Sequence, residues 1–275
     1  MRFSVSHETL YRYSVPVGLA PHLLRLTPRP DAGRLLMREL TVAPWPALRL
    51  EEFDAFGNPV TRVEFVGQFS SLRVESRFLL DTIPPPRGLM PVLSPLPWAF
   101  PLNDGLDVYR SQPWVDAAVA QFAHGLASQV GHSPMPFLEL LNRTLHDTVD
   151  GRARVSGDAQ SPAQTLASGR GACRDVTVLF MAACRCFNLP VRFVSGYHAP
   201  PGTPEGPGDL HAWAEVSLPG VGWLGWDPTN GIPAGEAHVA VCATPEQAGS
   251  MPVEGGFFAN GVTATLDFRV LIATA

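Results

Sequence analysis

A glycine-rich turn, Gly169-Arg170-Gly171-Ala172-Cys173-Arg174-Asp175, runs into an apolar stretch from Val176 to Leu189 that Pro190 closes. The stretch is apolar nearly all round, so as a helix from about Ala172 to Asn188 it must be enclosed on every side. The rest of the chain therefore has to wrap it. Gly169 and Gly171 supply the turn, since glycine takes backbone angles that a side chain forbids. Cys173 then stands at the helix N-terminus, where unpaired N–H groups and the helix dipole favour thiolate, the nucleophilic form. Cys173, Val176, Thr177, Phe180 and Cys184 share an inward face; Arg174 and Arg185 share a polar stripe. A cysteine taken alone more often packs as an inert small hydrophobe, the reading given to Cys184 and Cys186. A nucleophile needs a base and a group to orient that base.

Both are found further along. His211-Ala212-Trp213-Ala214-Glu215-Val216-Ser217-Leu218 alternates, with His211, Trp213 and Glu215 on one face. Pro219 to Gly222 turns the chain, and Trp223-Leu224-Gly225-Trp226-Asp227 returns as a second strand. His211 opens one strand and Asp227 closes the other, so both lie at one end of the hairpin. In antiparallel pairing an odd number of unpaired turn residues puts Asp227 opposite Trp213, diagonal to His211 and on its face; an even number puts it on the wrong face. The expected register is the first. His198 is a competing base in an irregular loop, 198–209. Trp213 and Asp175 are the candidate substrate-facing residues. Their plainer readings are a core or pocket wall for Trp213 and a helix-start cap for Asp175.

Residues 1–83 read as short strands with regular turns. Phe3, Val5, His7, Thr9, Tyr11 and Tyr13 form one face, further strands lie near 22–26, 35–42, 48–53, 60–66 and 72–80, and Asp54-Ala55-Phe56-Gly57-Asn58-Pro59 is a turn. An antiparallel β-sandwich is expected. Residues 84–110 hold seven prolines (Pro84, Pro85, Pro86, Pro91, Pro95, Pro97 and Pro101) and read as an extended connector anchored by Trp98 and Phe100. Ser111 with Pro113, Ser133 with Pro134 and Ser161 with Pro162 signal three helix starts. They open a domain of residues 111–275. Its last strand, from Val262, is expected to point Val262, Ala264, Leu266, Phe268 and Val270 inward.

The 20 basic and 25 acidic residues give a net charge of -5, and no Lys/Arg block exists, which argues against a nucleic-acid partner. No apolar run reaches membrane-span length and the N-terminus does not read as a signal peptide. No Cys-x-x-Cys pair exists among Cys173, Cys184, Cys186 and Cys242. A cytoplasmic protein without metal or cofactor is expected.

Together these motifs resemble the transglutaminase-like superfamily of bacteria. The resemblance lies in Gly169–Asp175, Leu189–Tyr197, His211–Val216 and Gly222–Asn230, with spacings of 38 and 16 between Cys173, His211 and Asp227. Tyr11-Arg12-Tyr13, His22–Pro30 and Asp54–Asn58 are similar to the β-sandwich that precedes that core. The resemblance implies an α+β protein, a sandwich followed by a papain-like core of helices on an antiparallel sheet. It implies Cys173 as nucleophile, His211 as base and acid, and Asp227 as orienter, in acyl transfer through a thioester on a peptide or protein substrate. Hydrolysis, transamidation and an idle peptide-binding module are the three outcomes such a core allows. One segment departs: Cys242-Ala243-Thr244 stands where a Gly-Arg-Asp stretch is usual.

Overall fold

The computed structural model describes residues 1–84, 91–99, 104–110, 115–154 and 157–275. The expectations placed on Pro85, Pro86, Phe100, Pro101, Ser111 and Pro113 lie outside these residues. The amino-terminal part holds β1 (Arg2–Leu19), β2 (His22–Leu24), β3 (Gly33–Ala43), β4 (Leu48–Phe53), β5 (Pro59–Glu64) and β6 (Phe69–Thr82). Among the described residues five helices follow: α1 (Asp107–Arg110), α2 (Ala117–Gln129), α3 (Pro134–Thr148), α4 (Pro162–Ser168) and α5 (Cys173–Arg185). The rest is β7 (Val191–His198), β8 (Gly206–Gly208), β9 (His211–Leu218), β10 (Gly222–Asp227), β11 (Ile232–Ala234), β12 (His238–Thr244), β13 (Val253–Glu254), β14 (Phe257–Phe258) and β15 (Ala264–Thr274). The fold is α+β, with every named strand pair antiparallel.

The apolar helix is enclosed as its composition demands. In α5, Val176, Leu179, Phe180, Ala183 and Cys184 are fully buried. They pack on α2 and α3 and on the Ala212, Ala214, Val216 and Leu218 face of β9. That strand is central in a sheet ordered β11-β10-β9-β7-β12. Arg185 departs from the expected polar stripe: it is buried and bonds the Tyr109 and Pro245 carbonyls and Glu246. The connector wraps this layer through Trp98, whose N–H donates to the Phe187 carbonyl while its own carbonyl accepts from Asn188.

The period-two face of β1 is buried at Phe3, Val5, His7, Thr9 and Tyr13 and half-buried at Tyr11. Its two ends cover different partners. Phe3, Val5, Phe78 and Leu80 pack against Tyr197, Val239 and Val241 of the five-stranded sheet. Tyr13, Val17, Leu72 and Val74 pack against Leu24 and Val63 of a second sheet, ordered β13-β2-β5-β4.

The division at residue 111 does not follow the sheets. β15 pairs with β1 from Phe3↔Thr274 to Tyr13↔Ala264, β14 also pairs with β1, and β13 pairs with β2, so carboxy-terminal strands complete both amino-terminal sheets. Of the inward face read for β15, Val270 alone is buried and Val262 is half-buried. Leu266 and Phe268 are 53% and 56% exposed, on the half of β15 that runs past β8. The 198–209 segment is also less irregular than its composition suggests. β8 joins β15, and Thr274 bonds both Thr203 and the Pro200 carbonyl.

Candidate active site

Three chain segments converge on the start of α5. Gly169 takes φ +62 as the cap of α4, a left-handed conformation that favours glycine. Gly171 contributes space instead: a Cβ there would lie 2.8 Å from Asp175 Cβ. Residues 150–154 run beside the turn, with Asp150 and Gly171 linked N–H to carbonyl and Arg154 N–H bonded to the Gly171 carbonyl. Asp175 accepts from the Ala172 N–H at 2.6 Å, the Gln160 N–H at 2.7 Å and Arg154 at 2.6 Å. With the Ala172 N–H taken, the N–H groups of Cys173 and Arg174 remain at the helix start, where no intrahelical acceptor reaches them.

The hairpin has the expected register. Gly222↔Leu218 through Trp226↔Ala214 leaves three turn residues, 219–221, unpaired and carries Asp227 to the level of Trp213. His211 Nε2 lies 2.7 Å from Asp227 Oδ2. Asp227 is fully buried. Its Oδ1 accepts from the Thr229 and Asn230 N–H groups, and its Oδ2 also accepts from the Asn230 side chain at 2.7 Å and from His238 Nε2 at 3.1 Å. Burial opposes its charge, but the bonds from His211, His238 and Asn230 hold it far below the usual carboxylate range.

Burial likewise opposes charge on His211. Hydrogen bonds to Asp227 and to the Cys173 thiol, with their charges, outweigh it and raise the imidazole to about 9. His211 thus links the buried carboxylate to the partly accessible thiol and is the cationic member at neutral pH. His198, at the end of β7, is not equivalent: burial and the neighbouring His238 and His211 lower it to about 4. Burial also raises the Cys242 thiol to about 12 and the Cys184 and Cys186 thiols above their ordinary value.

Two expected substrate contacts are corrected. Trp213 is 1% and Asp175 0% exposed, so neither offers a surface to a substrate. Trp213 packs with Val194, Ala240 and Ala243, and Asp175 spends its oxygens on the helix start. Trp213 fits because Gly196 lies beside it: a Cβ there would stand 2.6 Å from the indole and 2.1 Å from the Val239 carbonyl. Glu215, on the same face, pairs with Arg192 at 2.5 Å while that guanidinium covers Trp223. The divergent Cys242–Thr244 segment lies at the amino-terminal sheets. Asn58, fully buried, bonds both the N–H and the carbonyl of Ala243.

Sequence reading missed Asn230 and His238 as partners of Asp227. His198, Asp227 and His238 bring potential metal-ligand atoms within 4.8 Å of one another. The hydrogen bonds disfavour that use. The Gly235 N–H donates to His238 Nδ1 at 3.2 Å, so the proton sits on Nε2, whereas a metal on Nε2 would force it onto Nδ1 against that N–H.

Residues 3–81 match the bacterial transglutaminase-like N-terminal region, and residues 126–228 match the transglutaminase-like superfamily. The chain belongs to the transglutaminase-like superfamily. It is 29% identical over 291 residues to an uncharacterised protein of Mycobacterium tuberculosis (strain ATCC 25618 / H37Rv), covering 98% of this chain and 91% of that one. An uncharacterised protein of Mycobacterium leprae (strain TN) is 26% identical over 276 residues, with 95% of each chain covered. A candidate cysteine protease from Cytophaga hutchinsonii shares the fold at a TM-score of 0.73 and 18% identity, over 99% of this chain and 90% of that one. Membership of the superfamily supports a cysteine-dependent enzyme in general.

Proposed function

We propose that this protein cleaves amide bonds of a peptide or protein through a Cys173 thioester, with His211 as acid and base and Asp227 as its orienter. The observation that carries the reading is His211 bonded to Asp227 at 2.7 Å on the hairpin that packs against α5, the helix that Cys173 opens. The thiolate adds to the substrate carbonyl, and the oxyanion formed faces the free N–H groups of the helix start. His211, protonated at neutral pH, gives its proton to the departing amine as the C–N bond breaks and the thioester is left. It then takes a proton from water, which attacks the thioester and releases the acid and the thiolate, restoring the starting pair. A primary amine in place of water gives transamidation. The cytoplasmic setting proposed for this chemistry rests on the four free thiols.

Site-resolved alkylation by iodoacetamide tests the site without a known substrate. Cys173 should react at least about tenfold faster near neutral pH than in His211→Ala, with Cys184 and Cys242 as unreactive internal references. Equal rates in the two proteins would leave an idle binding module as the better reading. Transamidation separates from hydrolysis by incorporation of a labelled primary amine. All 20 basic residues are arginine, so only the α-amine of this chain could compete with the label.

A further inference from the structure

We infer that His238 is a positioning residue of this site, holding the Asp227 carboxylate toward His211 as a neutral hydrogen-bond donor. The inference rests on the reading of Cys173, His211 and Asp227 given above. His238 opens β12, is 6% exposed, and makes two bonds that together assign its proton. The Gly235 N–H needs an acceptor and finds Nδ1 at 3.2 Å. The lone pair is therefore on Nδ1 and the proton on Nε2, which lies 3.1 Å from Asp227 Oδ2.

Asp227 needs such a donor because of how it is held. Its Oδ1 is gripped by two backbone N–H groups, so the carboxylate can pivot about that oxygen. The pivot angle decides where Oδ2 points, and three groups compete for Oδ2: His211, the Asn230 amide and His238. Without His238, the Asn230 amide at 2.7 Å is the remaining fixed donor and draws Oδ2 to its own side. The His238 ring is itself held edge-on to Trp213, with centroids 5.1 Å apart at 67°.

Two imidazoles on one carboxylate oxygen cannot both carry charge cheaply. Their centroids are 6.3 Å apart, and His198 lies a further 4.5 Å from His238. Burial and the charge of His211 lower His238, against the pull of Asp227 and the more distant Glu215. His211 has the Cys173 sulfur as a second partner and keeps the proton. The division of labour follows: one imidazole exchanges protons and the other stays neutral and aims the carboxylate.

The test is an NMR titration of the full chain labelled in its histidine rings, which reads His211 directly and requires no substrate. In the unsubstituted protein His211 should titrate near 9. In His238→Phe, which keeps a ring against Trp213 but removes the donor, the midpoint should fall by about one pH unit or more. His238→Gln, with an amide N–H in reach of Oδ2, should restore it. A purely structural His238 would lower the melting temperature and leave the His211 midpoint in place, which overturns the inference. Ring nitrogen shifts of the unsubstituted protein give an independent reading if the Phe variant does not fold. His238 charged at neutral pH, or protonated on Nδ1, also overturns it. Failure of the Cys173 alkylation test would remove the catalytic reading and leave these titrations unchanged, so the two failures are distinguishable.

Discussion

Acid should loosen this protein at His7. The residue sits on β1 where the amino-terminal sheet meets the five-stranded sheet, and its Nδ1 lies 2.8 Å from the Tyr197 hydroxyl. Burial lowers it from 6.5 to about 4. Between those values the unfolded chain binds a proton that the folded chain refuses, so stability rises with pH across the window and is lost as pH falls from 6.5 towards 4. Integrated from about pH 7 to about pH 4.5, that difference is about 2.5 kcal/mol from one residue. The comparison is urea unfolding of the unsubstituted protein and His7→Phe at both pH values, followed by tryptophan fluorescence. The variant starts lower at neutral pH, since the buried Tyr197 hydroxyl loses its partner, a cost of about 1–3 kcal/mol. Its further loss on acidification should be smaller than that of the unsubstituted protein by about 2.5 kcal/mol. His22, His198 and His238 titrate downward in both proteins and cancel in the difference. Equal acid losses in the two proteins would refute the assignment.

Three further outcomes follow from the geometry. Gly196→Ala should lower the melting temperature by several degrees, because the Val239 carbonyl 2.1 Å from the new Cβ belongs to the neighbouring strand and cannot step aside; an unchanged temperature contradicts the packing described. Asn58→Ala should cost about 2–4 kcal/mol in urea unfolding, since it strands both backbone groups of Ala243, and a neutral effect means that water replaces the side chain. Arg174, next to Cys173, has two guanidinium nitrogens buried without an acceptor, so iodoacetate should gain on iodoacetamide at Cys173 and lose that gain in Arg174→Met; an unaltered ratio shows that the guanidinium does not serve the thiol.

Much of the site was readable because its parts follow local periodicities. A stretch apolar all round has to be a buried helix, and it is. The hairpin question was one of parity, and three unpaired residues answer it in favour of His211 and Asp227 sharing a face. Asp175 was readable too, through its spacing of three from Ala172, the reach of a first-turn carboxylate back to the helix-start N–H. Assigning it to substrate set that local chemistry aside. His238 had no comparable signal. It lies eleven residues past Asp227, beyond a turn and a short strand, and only the pairing of β12 with β7 brings it back beside the carboxylate.

The return of carboxy-terminal strands to the amino-terminal sheets had no signal in the sequence for a related reason: periodicity tells a strand which faces to present and not which neighbour to join. β15 alternates as an ordinary strand, yet its partner is β1, at the opposite end of the chain. That return has a consequence for the site. Both segments flanking the histidine cluster are held from the amino-terminal sheets, the 199–210 segment through β8 and Thr274 and the far end of β12 through Asn58. His198 ends the strand before the first and His238 opens the second, and the two face each other in the pairing of β7 with β12. The sandwich is therefore part of the scaffold that sets the spacing of His198, His211 and His238 around Asp227: a core cut away at residue 111 would lose the Asn58 anchor outright and keep the β8 anchor on a β15 stripped of its partner β1.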